Sequence, residues 1–139
     1  MSLSDEQQQF ASHLTDLFEY IRGMHGVTFT LGESWRSDVQ AEVNALRLEE
    51  RQIVAGLLKD KFPGLSEAIG KSTSVGVKNS VHRLKLAQDI NIFLNGEYQE
   101  GGDIYKQIGE WWKKQHPAAR YGGDWGDGDH YSFEYQGVK

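Results

Sequence analysis

Two hydrophobic periods share this chain, and their succession constrains the fold more than composition does. Between Ser4 and about Met24, Phe10, Leu14, Leu17, Phe18 and Ile21 recur at helical spacing, which predicts an amphipathic helix. Directly after it, Val27, Phe29 and Leu31 alternate with Thr28 and Thr30, the period of a half-buried strand. Ser37 and Gln40 then have the spacing of a capping box. They stand before a long helix marked by Val39, Val43, Leu46, Ile53, Val54 and Leu57, which Pro63-Gly64 closes. The Gly-, Ser-, Thr- and Lys-rich stretch from Gly70 to Asn79 reads as a loop, an ordinary connection sooner than a lid. Leu84 to Phe93 carries the β-favouring run Ile90-Asn91-Ile92-Phe93, and Asn95-Gly96 suits a hairpin turn. Asp103 to about Gln115 is helical in pattern and ends at His116-Pro117. Tyr131, Phe133 and Tyr135 alternate with Ser132 and Glu134, so a terminal strand is expected. The order α-β-α-β-α-β predicts an α+β fold: one domain over residues 1–139, a small antiparallel sheet and flanking helices.

Composition removes several function classes. A length of 139 residues suits one domain, and 38% hydrophobic residues suffice for a core. The net charge is -5 and no basic block stands out, so a nucleic-acid partner is not expected. There is no cysteine, which excludes disulfides and thiolate metal sites. Any metal must sit on carboxylates and on some of the five histidines. No stretch approaches the roughly 20 apolar residues that cross a bilayer, and the N-terminus lacks the pattern of a signal peptide. A soluble, monomeric protein made in the cytoplasm is the expectation.

Two clusters carry chemistry: Ser80-Val81-His82-Arg83-Leu84-Lys85-Leu86-Ala87-Gln88-Asp89, and Asp127-Gly128-Asp129-His130. Zinc accepts His nitrogen and Asp oxygen, and a catalytic site offers three protein ligands with a fourth position open. His82, Asp89 and His130 are such a set. Spacing alone leaves their convergence open. Seven residues separate His82 from Asp89, which share a face of a helix but take opposite faces of a straight strand. On a strand they meet only if a turn or bulge lies between them. The alternative is a surface His and a turn-forming Asp.

The first cluster resembles the S-x-H-x-x-G-x-A-x-D motif of the M15 zinc peptidases. That family holds VanY-like D-alanyl-D-alanine carboxypeptidases, dipeptidases and phage L-alanyl-D-glutamate endopeptidases. Ser80, His82, Ala87 and Asp89 match as they stand. Asp127-Gly128-Asp129-His130 resembles the family's acid-x-x-His element, and Arg36 its arginine after the first core strand. The resemblance implies a Hedgehog/DD-peptidase fold and a Zn2+ ion on His82, Asp89 and His130. It implies Asp127 as catalytic acid/base and Arg36 as a substrate-binding or oxyanion-stabilising residue. Ser80 is implied to contact substrate. Trp125 and Tyr131 flank the base and the last ligand and are read as substrate-binding, with core packing as the alternative. The sequence departs from the motif at Lys85, where the family has Gly, and at Asp129, which competes with Asp127 as base or orients a ligand. Glu33 reads as a solvated charge sooner than as a partner of Arg36 or of substrate. His13, His25 and His116 read as structural.

The chemistry suits these residue types: zinc acidifies water and polarises a carbonyl, a carboxylate moves the proton, and an arginine meets developing negative charge. The function implied is a peptidoglycan peptidase. A phage endolysin cleaving the L-Ala-D-Glu bond of the stem peptide comes first, because the phage branch commonly has Asp at the base position. It would stay in the host cytoplasm until lysis and be released through a holin or another lysis partner. The alternatives are a D,D-carboxypeptidase or dipeptidase releasing terminal D-Ala, and a non-catalytic wall-binding or virion structural protein.

Overall fold

A computed structural model describes residues 1–71 and 79–139. The chain forms two compact units, Met1–Arg36 with Val81–Lys139, and Ser37–Ser80.

The first unit holds the sheet. Helix α1 (Leu3–Arg22) opens on a reciprocal cap: the Ser2 hydroxyl accepts the Asp5 N–H, and the Asp5 carboxylate accepts the Ser2 N–H at 2.9 Å. It buries Phe10, Leu17 and Ile21, the stripe expected from the helical period. The strands are β1 (Val27–Leu31), β2 (Ala87–Leu94), β3 (Glu97–Tyr98), β4 (Ala119–Tyr121) and β5 (His130–Phe133). All pairings are antiparallel, in the order β1-β2-β5-β4, with β3 folded back on β2. Asn95 and Gly96 link β2 to β3 with φ of 51° and 85°. That pair of positive angles is what a tight hairpin turn of the sheet's twist requires. Helix α5 (Asp103–Lys113) lays Trp112 on the sheet. Trp112 is fully buried, and its indole N–H donates to the carbonyls of Arg120 at 3.0 Å and Ser132 at 3.2 Å. Its ring meets Phe10 and Phe133, and Phe10 meets Phe133 edge-on at 5.3 Å. These aromatics are the centre of the core, where truncating one to Ala costs about 3–5 kcal/mol. The fold is thus α+β, with an antiparallel sheet flanked by helices, as the alternating periods predict.

The second unit is helical: α2 (Asp38–Asn44), α3 (Leu48–Leu58) and α4 (Pro63–Lys71). The single long helix expected up to Pro63 is therefore broken at Ala45–Arg47. Arg51 explains the break. It is buried, and its guanidinium donates to the carbonyls of Leu46 at 2.9 Å and Asn44 at 2.6 Å. An internal arginine thus satisfies carbonyls that helix continuation would have used. Glu50 restarts the helix by accepting the Arg47 N–H at 2.8 Å. Ser37 caps α2 through the Gln40 N–H, but the Gln40 side chain turns to Asn44 instead of closing the box. Pro63 begins α4, a position where its missing N–H does no harm. Gly70 and Lys71 belong to α4; positions 72–78 of the expected loop lie outside the described residues.

Candidate metal centre

The site begins where β1 ends. The Gly32 N–H donates to the Asp89 carbonyl and the Asp89 N–H to the Glu33 carbonyl, both at 2.8 Å. The chain beyond β1 therefore hugs the start of β2. A Cβ at Gly32 would lie 3.1 Å from that of Asp89, so only glycine passes there without displacement. One residue further, the Ser34 carbonyl lies 3.2 Å from Nδ1 of His82. The Arg36 N–H donates to the His82 carbonyl at 3.2 Å.

His82 sits in a 3-10 turn, Val81–Leu84, closed by Lys85 and Leu86 N–H bonds back to His82 and Val81. Lys85 then takes φ of 57°, the left-handed region that glycine favours. This is the turn the seven-residue spacing demanded, and it lies at the motif position where the sequence carries Lys in place of Gly. Asp89 and His130 are direct cross-strand partners of β2 and β5, so their side chains leave the sheet on one face.

Three candidate ligand atoms converge. His82 Nε2 and His130 Nδ1 are 3.1 Å apart, and each lies 3.2 Å from Asp89 Oδ1. Ligands about 2.0–2.1 Å from a tetrahedral zinc stand about 3.3 Å from one another. The triangle is close to that face. His82 Nδ1 faces a carbonyl, which assigns the proton to Nδ1 and leaves the Nε2 lone pair for an ion. His130 Nε2 is buried without a partner among the described residues, a deficit typical of functional sites. The residues present fit a divalent cation.

Electrostatics agree. Burial alone would raise the Asp89 carboxyl; the bonds from His130 and His82 outweigh it and hold it at about 2. Burial pushes the His82 imidazole down, but the Asp89 bond and charge prevail and raise it.

Asp127 stands beside the trio, its Oδ2 3.9 Å from His130 Nδ1, with about half of the side chain exposed. Gly126, at φ of 90°, ends the 3-10 turn Gly122–Trp125 and swings Asp127 back, where its N–H donates to the Gly122 carbonyl at 2.9 Å. Its own carbonyl accepts the His130 N–H at 3.2 Å. Gly122 lies beneath both residues: a Cβ there would strike the Asp127 carbonyl and stand 2.7 Å from His130 Cβ. The Asp129 carboxyl is raised to about 6 by burial, by the Asp89 charge and by its bond to Asp127.

Arg36 is mostly buried and forks onto Glu33, with Nε to Oε1 at 2.5 Å and Nη2 to Oε2 at 2.7 Å. That bond raises its pKa first, against burial, and the charges of Asp89 and Asp127 add to it. Glu33 is thus a partner of Arg36 and not a free solvated charge. Trp125 is 42% exposed with its ring 5.9 Å from that of His130, so it borders the site. Tyr131 is corrected. It has no exposed surface and packs on Trp112 and Tyr121, because it points to the helix-covered face of the sheet opposite His130. Ser80 is buried at the end of the second unit, two residues before His82. His13 and His116 pack with Phe133, and His25 is exposed; none approaches the trio.

Gly32, Ser34 and Gly122 escaped sequence reasoning. Ser34 acts through a main-chain oxygen, which leaves no mark on residue type. The two glycines sat in stretches legible only as loop.

No family model and no curated protein matches the sequence. Among the solved structures that resemble it, two align with 90% of it at 20% identity. One is a mutant of the vancomycin-resistance D,D-pentapeptidase VanY from a VanB-type cassette, in complex with Zn(II), at a TM-score of 0.49 over 70% of that chain. The other is VanYB in complex with D-alanine-D-alanine, at 0.46 over 69%.

Proposed function

We propose that this chain is a zinc-dependent peptidase of bacterial peptidoglycan. The observation that carries the reading is the convergence of His82, Asp89 and His130 with Asp127 at its edge. The resemblance of Ser80-x-His82 through Asp89, followed by Asp127-x-x-His130, to the M15 motif supports wall peptides as the substrate class. His82, Asp89 and His130 would hold a zinc ion, which when bound would supply Lewis acidity toward a carbonyl and toward water. Asp127 takes the proton from the attacking water and returns it to the leaving amine. Arg36 donates to the carbonyl oxygen as negative charge develops there. Trp125 offers an exposed ring for the substrate chain, and Ser80 a polar contact.

Within that class, the L-Ala-D-Glu bond of the stem peptide and an endolysin role are our first reading, supported by Asp at the base position. Among the described residues no helix is long and apolar enough to cross a membrane. The test is digestion of purified peptidoglycan with zinc or with a chelator. Zinc-dependent new amino termini at D-Glu support this reading, and loss of terminal D-Ala supports a D,D-carboxypeptidase instead. Asp127→Asn keeps zinc and loses hydrolysis by at least a hundredfold. Unchanged hydrolysis in that variant refutes the base assignment and turns attention to Asp129.

A further inference from the structure

We propose that Glu33 is a positioning residue that fixes Arg36 as a donor to the scissile carbonyl and withdraws it from service as a clamp for a substrate carboxylate. The proposal rests on the peptidase reading above.

Four main-chain and side-chain bonds carry it. Glu33 and Arg36 are each tied through the backbone to a different member of the trio: the Glu33 carbonyl accepts the Asp89 N–H, and the Arg36 N–H donates to the His82 carbonyl. Their side chains then close on each other through two parallel bonds, one from Nε and one from Nη2. A guanidinium held by its side edge keeps one orientation, with little rotamer freedom left to lose in the reaction. Arg36 is the more buried partner, with 12% of its side chain exposed against 33% for Glu33, so the fork is built into the wall of the site.

Charge decides what this arginine can recognise. Paired with Glu33, it adds no net charge to a rim that already carries Asp89 and Asp127. A substrate carboxylate entering there meets a cation already matched and other acids nearby. An amide carbonyl enters without charge and gains the Arg36 bond as its oxygen becomes negative, which favours the transition state over the ground state. The pairing therefore selects substrates whose residue after the scissile bond carries an amide over those with a free carboxylate.

The experiment uses the full chain and matched synthetic stem peptides, differing only in a carboxylate or carboxamide on the residue after the scissile bond. The unsubstituted protein is expected to prefer the carboxamide in kcat/KM. Glu33→Gln keeps the shape, loosens one of the two bonds and unmasks the charge. Its kcat on the carboxamide falls about tenfold with KM within twofold, zinc affinity by calorimetry is unchanged, and preference shifts at least fivefold toward the carboxylate. In the zinc-free protein the Arg36 Nε–H is a slowly exchanging NMR resonance that Glu33→Ala removes. Unaltered kcat and preference in Glu33→Gln overturn the proposal alone, as does a freely exchanging Arg36 Nε–H in the unsubstituted protein. A loss of zinc affinity or of folded circular dichroism in Glu33→Gln also overturns it, making Glu33 structural. No zinc-dependent cleavage by the unsubstituted protein sinks the peptidase reading itself, and this proposal with it.

Discussion

Gly122→Ala puts one methyl group where the site has no room. The added Cβ would stand 2.7 Å from His130 Cβ and closer still to the Asp127 carbonyl oxygen. Carbon atoms pack best at about 3.5–4.0 Å, so the contact is roughly 1 Å short. Neither neighbour is the free end of a flexible side chain: one begins the His130 side chain on β5, and the other is backbone hydrogen-bonded to the His130 N–H. Relief must come from moving the segment 122–130. Overpacking of this kind costs about 1–3 kcal/mol. In a domain of this size each kcal/mol lowers Tm by roughly 3–5 °C. A metal site tolerates ligand displacements of only about 0.2 Å. Zinc affinity should therefore fall further than stability does, by about ten- to a hundredfold, the range seen when the supports of a ligand are altered. The assay is thermal unfolding of the zinc-free protein beside calorimetric zinc titration. Unchanged Tm and unchanged zinc affinity would refute the reasoning, because they would mean that the 122–130 segment yields freely.

Three further predictions follow from the geometry of the site and its turn. Zinc-free stability should be greatest between about pH 4 and 6.5: the depressed Asp89 carboxyl contributes above its unfolded value near 3.9 and is lost as pH falls through about 2, while the raised His82 contributes below about 6.5 and is lost as pH rises through its folded value. The Asp89 shift, set by both histidines, corresponds to on the order of 2 kcal/mol, and denaturant titrations across pH that give a flat profile would contradict it. Zinc affinity should run the other way, falling about tenfold per pH unit once His82 is protonated. Lys85→Gly should be neutral or stabilising by about 0.5–1 kcal/mol, because glycine takes φ of 57° without strain, less a small loss of the Lys85 ammonium over the Trp35 ring at 5.9 Å; clear destabilisation in chemical unfolding would show that the left-handed turn is not strained.

Periodicity carried α1, β1 and the β2–β3 hairpin, because each is set by local pattern: an apolar stripe, strict alternation, and an Asn-Gly pair with positive φ. It failed where tertiary contacts decide. The break between α2 and α3 depends on Arg51 reaching back to two carbonyls, and no local propensity records that. Strand β4 is three residues long, too short for alternation to register. At the site, ligand chemistry nominated His82, Asp89 and His130, but parity along the chain could not unite them. A 3-10 turn and one left-handed lysine solve that problem, and the lysine stands where the resemblance would place glycine. The mixed fate of Trp125 and Tyr131 has the same origin. Both flank the cluster in sequence, yet one lies on an exposed turn and the other on the covered face of β5.

The central claim is that His82, Asp89 and His130 form one cation site. Calorimetric zinc titration of the zinc-free protein near neutral pH tests it most directly, with His82→Ala, Asp89→Ala and His130→Ala beside His13→Ala and His116→Ala. The geometry predicts one zinc per chain, a loss of at least a hundredfold in each of the first three variants, and unchanged binding in the last two. Absence of stoichiometric binding, or binding that survives loss of His130 and fails with His13 or His116, would contradict it.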